Sequence, residues 1–210
     1  MINNMLVIGL TGPTGAGKGV LTEVFEEARI PCIDTDGISR KVTVPNSNCL
    51  KELVGYFGAQ ILEADGSLDR KTLASRVFGG ADTSAELAAL NRITHHYILL
   101  EVDRELERYA QNGCFAAAID APLLFESGCD RKCDLLIAVV APVEVRLERI
   151  MKRDGISREL ALARIAAQQK DDYYTSRCDT VFYNDGSIEK LRSGAREYLE
   201  KLKNGGAWKK

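Results

Sequence analysis

The chain has 210 residues, a length that yields one or two domains with a real core. Hydrophobic residues make up 45% and charged residues 28%, ordinary for a globular protein, and the formal net charge is -2. So balanced a charge excludes a broad electrostatic footprint for nucleic acid or an anionic membrane, and any phosphate recognition must be built locally.

The opening Met1-Ile2-Asn3-Asn4 has no basic segment leading into an apolar stretch and does not read as a signal peptide. Apolar runs at 5–10, 115–119 and 135–142 are far short of the roughly 20 residues that span a bilayer. The expectation is a cytoplasmic protein. Cys32, Cys49, Cys114, Cys129, Cys133 and Cys178 lack the density of a disulfide scaffold. Cys129 and Cys133 offer two metal ligands, but no Cys-x-x-Cys or histidine pair completes a site. The thiols read as reduced and mostly structural.

The first strand is expected over 5–10, and a helical pattern begins at Val20, with Leu21, Val24 and Phe25 on the same face. A second strand over 30–33 ends at Asp34. From about 37 to 112 there is little strand signal, and the interval reads as a helical lobe beside a sheet. Within it Thr83-Ser84-Ala85-Glu86 has capping-box spacing ahead of Leu87, Leu90 and Ile93. A third strand over 115–119 ends at Asp120, and a fourth covers 135–140. An amphipathic helix follows over 143–151, and Ser157 looks like the cap of the next, which carries Leu160, Ala163, Ile165 and Ala166. The fifth strand covers 180–183. Asp185-Gly186-Ser187 then turns into a closing helix with Ile188, Leu191, Tyr198 and Leu202 inward, and the tail from Asn204 to Lys210 reads as frayed. Strands apolar at nearly every position, alternating with helices, predict an α/β fold with a five-stranded parallel sheet covered on both faces.

Directly after the first strand stands Gly12-Pro13-Thr14-Gly15-Ala16-Gly17-Lys18-Gly19. Strand, G-x-x-x-x-G-K, helix is the context in which this pattern specifies a phosphate-binding P-loop. Glycines permit backbone angles that a Cβ forbids, so the amides of Gly12, Thr14, Gly15, Ala16, Gly17, Lys18, Gly19 and Val20 can crowd one anion. The N-terminus of the following helix adds its positive end. Lys18 supplies a movable charge for the β- and γ-phosphates of ATP. The residue after the lysine is usually Ser or Thr, whose hydroxyl binds Mg²⁺; here it is Gly19. The metal must then be held by ATP oxygens, water and another residue. Asp120, at the end of the third strand, sits where that acid is expected, unless it only caps the turn before Pro122.

A P-loop specifies a nucleotide, not a reaction. The guanine signature Asn-Lys-x-Asp is absent from the sequence. Asp34-Thr35-Asp36 stands at the carboxyl edge of the sheet, where ligands of parallel sheets gather, and a carboxylate there can take the proton of an attacking hydroxyl. The same pair could instead form a turn. Arg146, Arg149 and Arg153 share a helical face and can fork onto phosphate oxygens, or else form a solvated stripe paired with Glu144 and Glu148. Lys152-Arg153-Asp154-Gly155-Ile156-Ser157 has the character of a lid hinge, which a kinase needs to exclude water.

These segments, with Ile33-Asp34-Thr35-Asp36 and Arg40, Asp65-Gly66-Ser67-Leu68-Asp69-Arg70, Leu90-Asn91-Arg92-Ile93-Thr94-His95 and Pro122-Leu123-Leu124-Phe125-Glu126, occur in the order seen in dephospho-coenzyme A kinases. Arg149-Ile150-Met151-Lys152-Arg153-Asp154, Ala163-Arg164-Ile165-Ala166-Ala167-Gln168 and Tyr183-Asn184-Asp185-Gly186 complete the set, and the chain resembles that family over roughly residues 5–200. The resemblance implies a P-loop fold of nucleoside-monophosphate-kinase type in a single kinase domain. Its nucleotide core would comprise 1–36, 113–145 and 175–204, with an acceptor lobe at 37–112 and a lid at 146–174. It implies phosphate transfer from ATP, with Mg²⁺, to the ribose 3′-hydroxyl of dephospho-CoA. Asp36 would then be the base, and Lys18 with Arg149 would stabilise the phosphoryl group. Arg153 and Gln168 would lie on the ATP side, and Thr11, Arg40, His95, Pro122 and Leu123 would face the acceptor. Asp120 would hold the metal through water. The implied partners are these small molecules alone, with no nucleic acid or membrane, and the protein would be a monomer or weak homo-oligomer. Two positions depart from the family pattern: Gly19, as above, and His96, where proline commonly follows the histidine. Outside this reading stand a shikimate- or nucleotide-type kinase and a P-loop regulator that binds nucleotide without phosphorylating a small molecule.

Overall fold

A computed structural model describes residues 5–79 and 83–204; the readings of residues 1–4 as no signal peptide and of 205–210 as a frayed tail lie outside the described residues. In chain order the elements are β1 (Leu6–Thr11), α1 (Lys18–Glu27), β2 (Cys32–Asp34), α2 (Thr35–Val42), α3 (Asn48–Phe57), α4 (Arg70–Phe78) and α5 (Ser84–Gln111). There follow β3 (Ala116–Asp120), β4 (Leu135–Val140), α6 (Val143–Asp154), α7 (Arg158–Ala166), α8 (Asp171–Thr175), β5 (Thr180–Tyr183) and α9 (Ile188–Asn204). Among the described residues no helix is long and apolar enough to cross a membrane.

By internal contacts the chain divides into two compact units. One is made by the described residues up to Ile33 and from Leu106 onward, the other by Asp34–Glu105. The segment 146–174 belongs by its contacts to the first unit.

The sheet of the first unit runs in the order β2-β3-β1-β4-β5. β1 pairs in parallel with both neighbours, Leu6 opposite Ala116 on one side and Ile8 opposite Leu135 on the other. β4 pairs in parallel with β5, Ile137 opposite Thr180. Alternation then sorts side chains to two faces. Leu6, Ile8, Leu10, Ala116, Ala118, Ile137 and Val139 meet Leu21, Val24 and Phe25 of α1 and Leu191, Ala195 and Leu199 of α9 in one core. On the other face Ala138 and Val140 pack with Tyr174 of α8. Fully burying a side chain such as Phe25 contributes about 1.5–3 kcal/mol, which fixes the register of α1 and hence of the loop ahead of it.

The fourth and fifth strands match the expected spans. The other three differ at an end: β1 reaches Thr11, which pairs with Ala138; β3 ends at Asp120 as expected but starts at Ala116; and β2 starts only at Cys32. The first helix starts at Lys18 and not at Val20, because Gly17 in the left-handed region is its N-cap and Val20 N–H already donates to Gly17 O at 3.1 Å.

The second unit is helical apart from a 3-10 turn at Ala59–Ile61 and a single bridge between Leu62 and Leu68. Its core gathers Cys49, Leu53 and Phe57 of α3, Ile61, Leu73 and Val77 of α4, and Ala89 and Ile93 of α5. Ser47 and Asp69 cap α3 and α4 through their side chains.

Candidate active site

Between β1 and α1 the backbone turns through Gly12, Gly15 and Gly17, at φ 136, 77 and 106. L side chains rarely adopt such angles. A Cβ on Gly17 would lie 2.3 Å from Asn184 Nδ2, so this position also needs glycine for room. Ala16 N–H closes the turn on Pro13 O at 3.2 Å, and Lys18 Nζ rests on Gly12 O at 3.1 Å. Thr11, fully buried, donates its hydroxyl to Pro122 O at 3.4 Å.

The outer face of the loop is gripped by side chains from three later segments. Arg146 Nε donates to Thr14 O at 3.0 Å. Arg149 Nη1 donates to Gly15 O at 3.2 Å and Ala16 O at 3.3 Å, and its Nη2 to Asn184 Oδ1 at 3.2 Å. Asn184, directly after β5, donates Nδ2 to Ala16 O at 2.7 Å. Gln168 Oε1 accepts from Thr14 N–H at 2.9 Å and from Arg146 Nη2 at 3.2 Å. With the carbonyls of three successive residues held from one side, the amides that follow turn the other way, which is how a backbone nest for an anion forms. The N-terminus of α1 adds its partial positive charge at the same place.

The helical face carrying three arginines is therefore neither a phosphate fork throughout nor a solvated stripe. Arg146 is 3% exposed and lies against the loop backbone, with Nη1 3.5 Å from Asp171 Oδ1. Burial lowers its pKa and the Asp171 carboxylate opposes the shift. The close approach is possible because Gly15 has no side chain: a Cβ there would sit 2.9 Å from Arg146 O. Glu144 pairs with Arg158, not with the arginines of its own helix. Arg153 is exposed, bonded to Asp154 and, at 3.4 Å, to the Thr14 hydroxyl. The suspected hinge is a helix junction: Gly155 ends α6 at φ 64, Ser157 caps α7, and Leu147, Ile150 and Ala161 pack the two helices together.

Asp120, half-buried, ends β3 opposite Leu10, the penultimate residue of β1. Pro122 is half-buried and Leu123 is 52% exposed. Gly19 is exposed, and a Cβ there would meet nothing within 4 Å; Val20 packs at the margin of the α1 core. Cys32 is pushed up to about 12 by burial, which leaves its thiol protonated and unreactive. In the second unit the turn-former reading fits one of the paired acids: Asp34 Oδ1 accepts Asp36 N–H at 2.9 Å and caps α2. Asp36 itself is exposed in the first turn of that helix, Arg40 is exposed, and His95 is half-buried on α5. Sequence reading assigned no role to Asn184 or Asp171. The signal for Asn184 was its place in the Tyr183-Asn184-Asp185-Gly186 segment that closes the fifth strand.

A sequence model of the family described as dephospho-CoA kinase matches residues 6–190. The chain is 39% identical to the dephospho-CoA kinase of Anaeromyxobacter dehalogenans over 201 residues, 96% of this chain and 94% of that protein. To the dephospho-CoA kinase of Corynebacterium glutamicum it is 36% identical, covering 94% of this chain and all of the relative, 100%. Among solved structures, TT1252 from Thermus thermophilus superposes with a TM-score of 0.79 at 31% identity, covering 94% of this chain and 98% of that one. A shikimate kinase from Bacteroides thetaiotaomicron, at 17% identity and a TM-score of 0.53 over 95% of this chain and 99% of that one, shares the fold alone.

Proposed function

The chain belongs to the dephospho-CoA kinase family, and on that premise we propose that it transfers the terminal phosphate of ATP to the ribose 3′-hydroxyl of dephospho-CoA, giving CoA and ADP. The observation that carries this reading is the loop after β1, whose carbonyls are tied outward by Arg146, Arg149 and Asn184, an arrangement that suits the amides of Gly15 and Gly17 to phosphate. Phosphoryl transfer asks little covalent chemistry of a protein; positioning and charge neutralisation supply most of the rate.

In this reading the amides of Gly15, Gly17, Lys18 and Gly19 hold the β- and γ-phosphates, with Gly12, Thr14, Ala16 and Val20 shaping the loop around them. Lys18 neutralises charge as the γ-phosphoryl group moves; Arg149, tied to two loop carbonyls on the outer side, joins it there only by leaving them. Arg153 and Gln168 lie on the ATP side. Asp36 accepts the proton of the 3′-hydroxyl as its oxygen bonds to the γ-phosphorus and the bridging bond to ADP breaks. Arg40, His95, Thr11, Pro122 and Leu123 serve the acceptor.

Mg²⁺ carried with ATP supplies charge neutralisation between the phosphates. The residues fit a water-mediated ion: Gly19 offers no hydroxyl, whereas Asp120 offers a hard carboxylate oxygen at the end of β3. Small soluble substrates accord with a cytoplasmic monomer or weak homo-oligomer. A shikimate-type acceptor would rest on the shared fold alone. The test is coupled ADP detection with and without dephospho-CoA, with mass spectrometry of the product. A steep acceptor-dependent rise and one added phosphate on the ribose are expected; an acceptor-independent rate would overturn the assignment.

A further inference from the structure

Arg146 is the buried cation of α6, flanked in sequence by Leu147 and on the next turn by Ile150, both apolar and fully buried. Burying a guanidinium is costly unless its donors are used, and a position that needed only packing would be served by an apolar side chain. The donors are used on one target. Nε–H goes to Thr14 O at 3.0 Å and Nη2–H to Gln168 Oε1 at 3.2 Å, the same oxygen that accepts Thr14 N–H at 2.9 Å. Both main-chain polar groups of Thr14 are thus held by one connected pair of side chains. Asp171, the counter-charge, is 44% exposed and 3.5 Å away, a weaker contact.

We propose that Arg146 is a positioning residue for ATP binding: with Gln168 it grips the N–H and C=O of Thr14 and so fixes the loop in its phosphate-accepting shape. The inference rests on the nucleotide-binding reading above and adds a residue that need not touch the nucleotide. It differs from a purely structural role in one respect. What matters is a hydrogen-bond donor at the end of a four-atom reach, not the volume of the side chain or its charge.

That distinction can be tested with two side chains of nearly equal length. In Arg146→Gln, Nε2 stands the same number of bonds from the backbone as Nε of arginine, so a donor to Thr14 O is retained. Arg146→Met has the same chain length as Arg146→Gln and no donor, and both variants lose the Nη1 and Nη2 contacts alike. Each variant is compared with the unaltered protein for ATP affinity by calorimetry, KM for ATP, kcat and thermal midpoint. Arg146→Met should weaken ATP binding and raise KM about tenfold or more, because the Thr14 carbonyl loses its donor, with kcat changed less than about threefold. Arg146→Gln should recover most of that loss at a thermal midpoint like that of Arg146→Met. Equal ATP affinity in the two variants, or a loss that simply follows their thermal midpoints, overturns the proposal. Failure of the unaltered protein to bind ATP would instead overturn the nucleotide reading itself.

Discussion

The two units hold their candidate residues in opposite ways. Around the loop of the first, Thr11, Arg146 and Asn184 are buried, and all three donate to main-chain oxygens. In the second, Asp36 and Arg40 are exposed and His95 half-buried on a helical scaffold whose core lies elsewhere. The difference teaches how each kind of recognition is made. In the proposed reading phosphate is met by backbone amides, so its site must be shaped by the fold, and errors there should disturb both folding and binding. An acceptor is met by side-chain tips, which can be altered with little effect on stability.

The sharpest way to break this contrast is Asp36→Asn. Turnover with dephospho-CoA should fall about 10²–10⁴-fold, as expected for loss of a general base, while ATP affinity and thermal midpoint stay near those of the unaltered protein. A parallel loss of ATP affinity would erase the distinction. Lys18→Ala comes next, with a fall in kcat/KM of about 10²–10³ and weaker nucleotide retention seen by calorimetry. Gly17→Ala probes the backbone directly. At φ 106, with a Cβ 2.3 Å from Asn184 Nδ2, it should cost about 1–3 kcal/mol in chemical denaturation and abolish tight ATP binding. Gly19→Ser sharpens the same point from the other side. Its Cβ meets nothing within 4 Å, so the fold should tolerate it, and the half-saturating Mg²⁺ concentration in the coupled assay should fall by a factor of about two to five.

The smallest effect belongs to the second unit. Glu101 is bonded to Lys41, and that bond, with help from Arg104, holds its carboxyl below the ordinary value of 4.5. A lowered carboxylate pKa contributes stability that is complete above the ordinary value and disappears as pH falls through the lowered one. Because the Lys41 side chain is 63% exposed, the contribution should stay below about 1 kcal/mol. Glu101→Gln should flatten the acid limb of a denaturation profile only slightly; a steep loss at neutral pH would contradict this.

The sequence announced the loop, the sheet and the helical lobe because each rests on a local pattern: glycine spacing, apolar runs and helical periodicity. The fourth and fifth strands were legible to the residue. Some strand ends elsewhere were not, because a polar residue such as Thr11 is kept in the sheet by its ladder partner. The direction of the arginines was equally out of reach. Arg146, Arg149 and Arg153 share a helical face, but which of them turns toward a main-chain oxygen depends on a bare Cα at Gly15, more than a hundred residues earlier. Asn184 owes its role to the same kind of long-range closure.

Because the Thr14 N–H is already bonded to Gln168, it should exchange slowly with deuterated solvent before any nucleotide arrives, and adding ATP should change it little. The amides of Gly15 and Gly17 should slow only on ligation. One short stretch of chain would then carry both a built-in standard and the signal read against it.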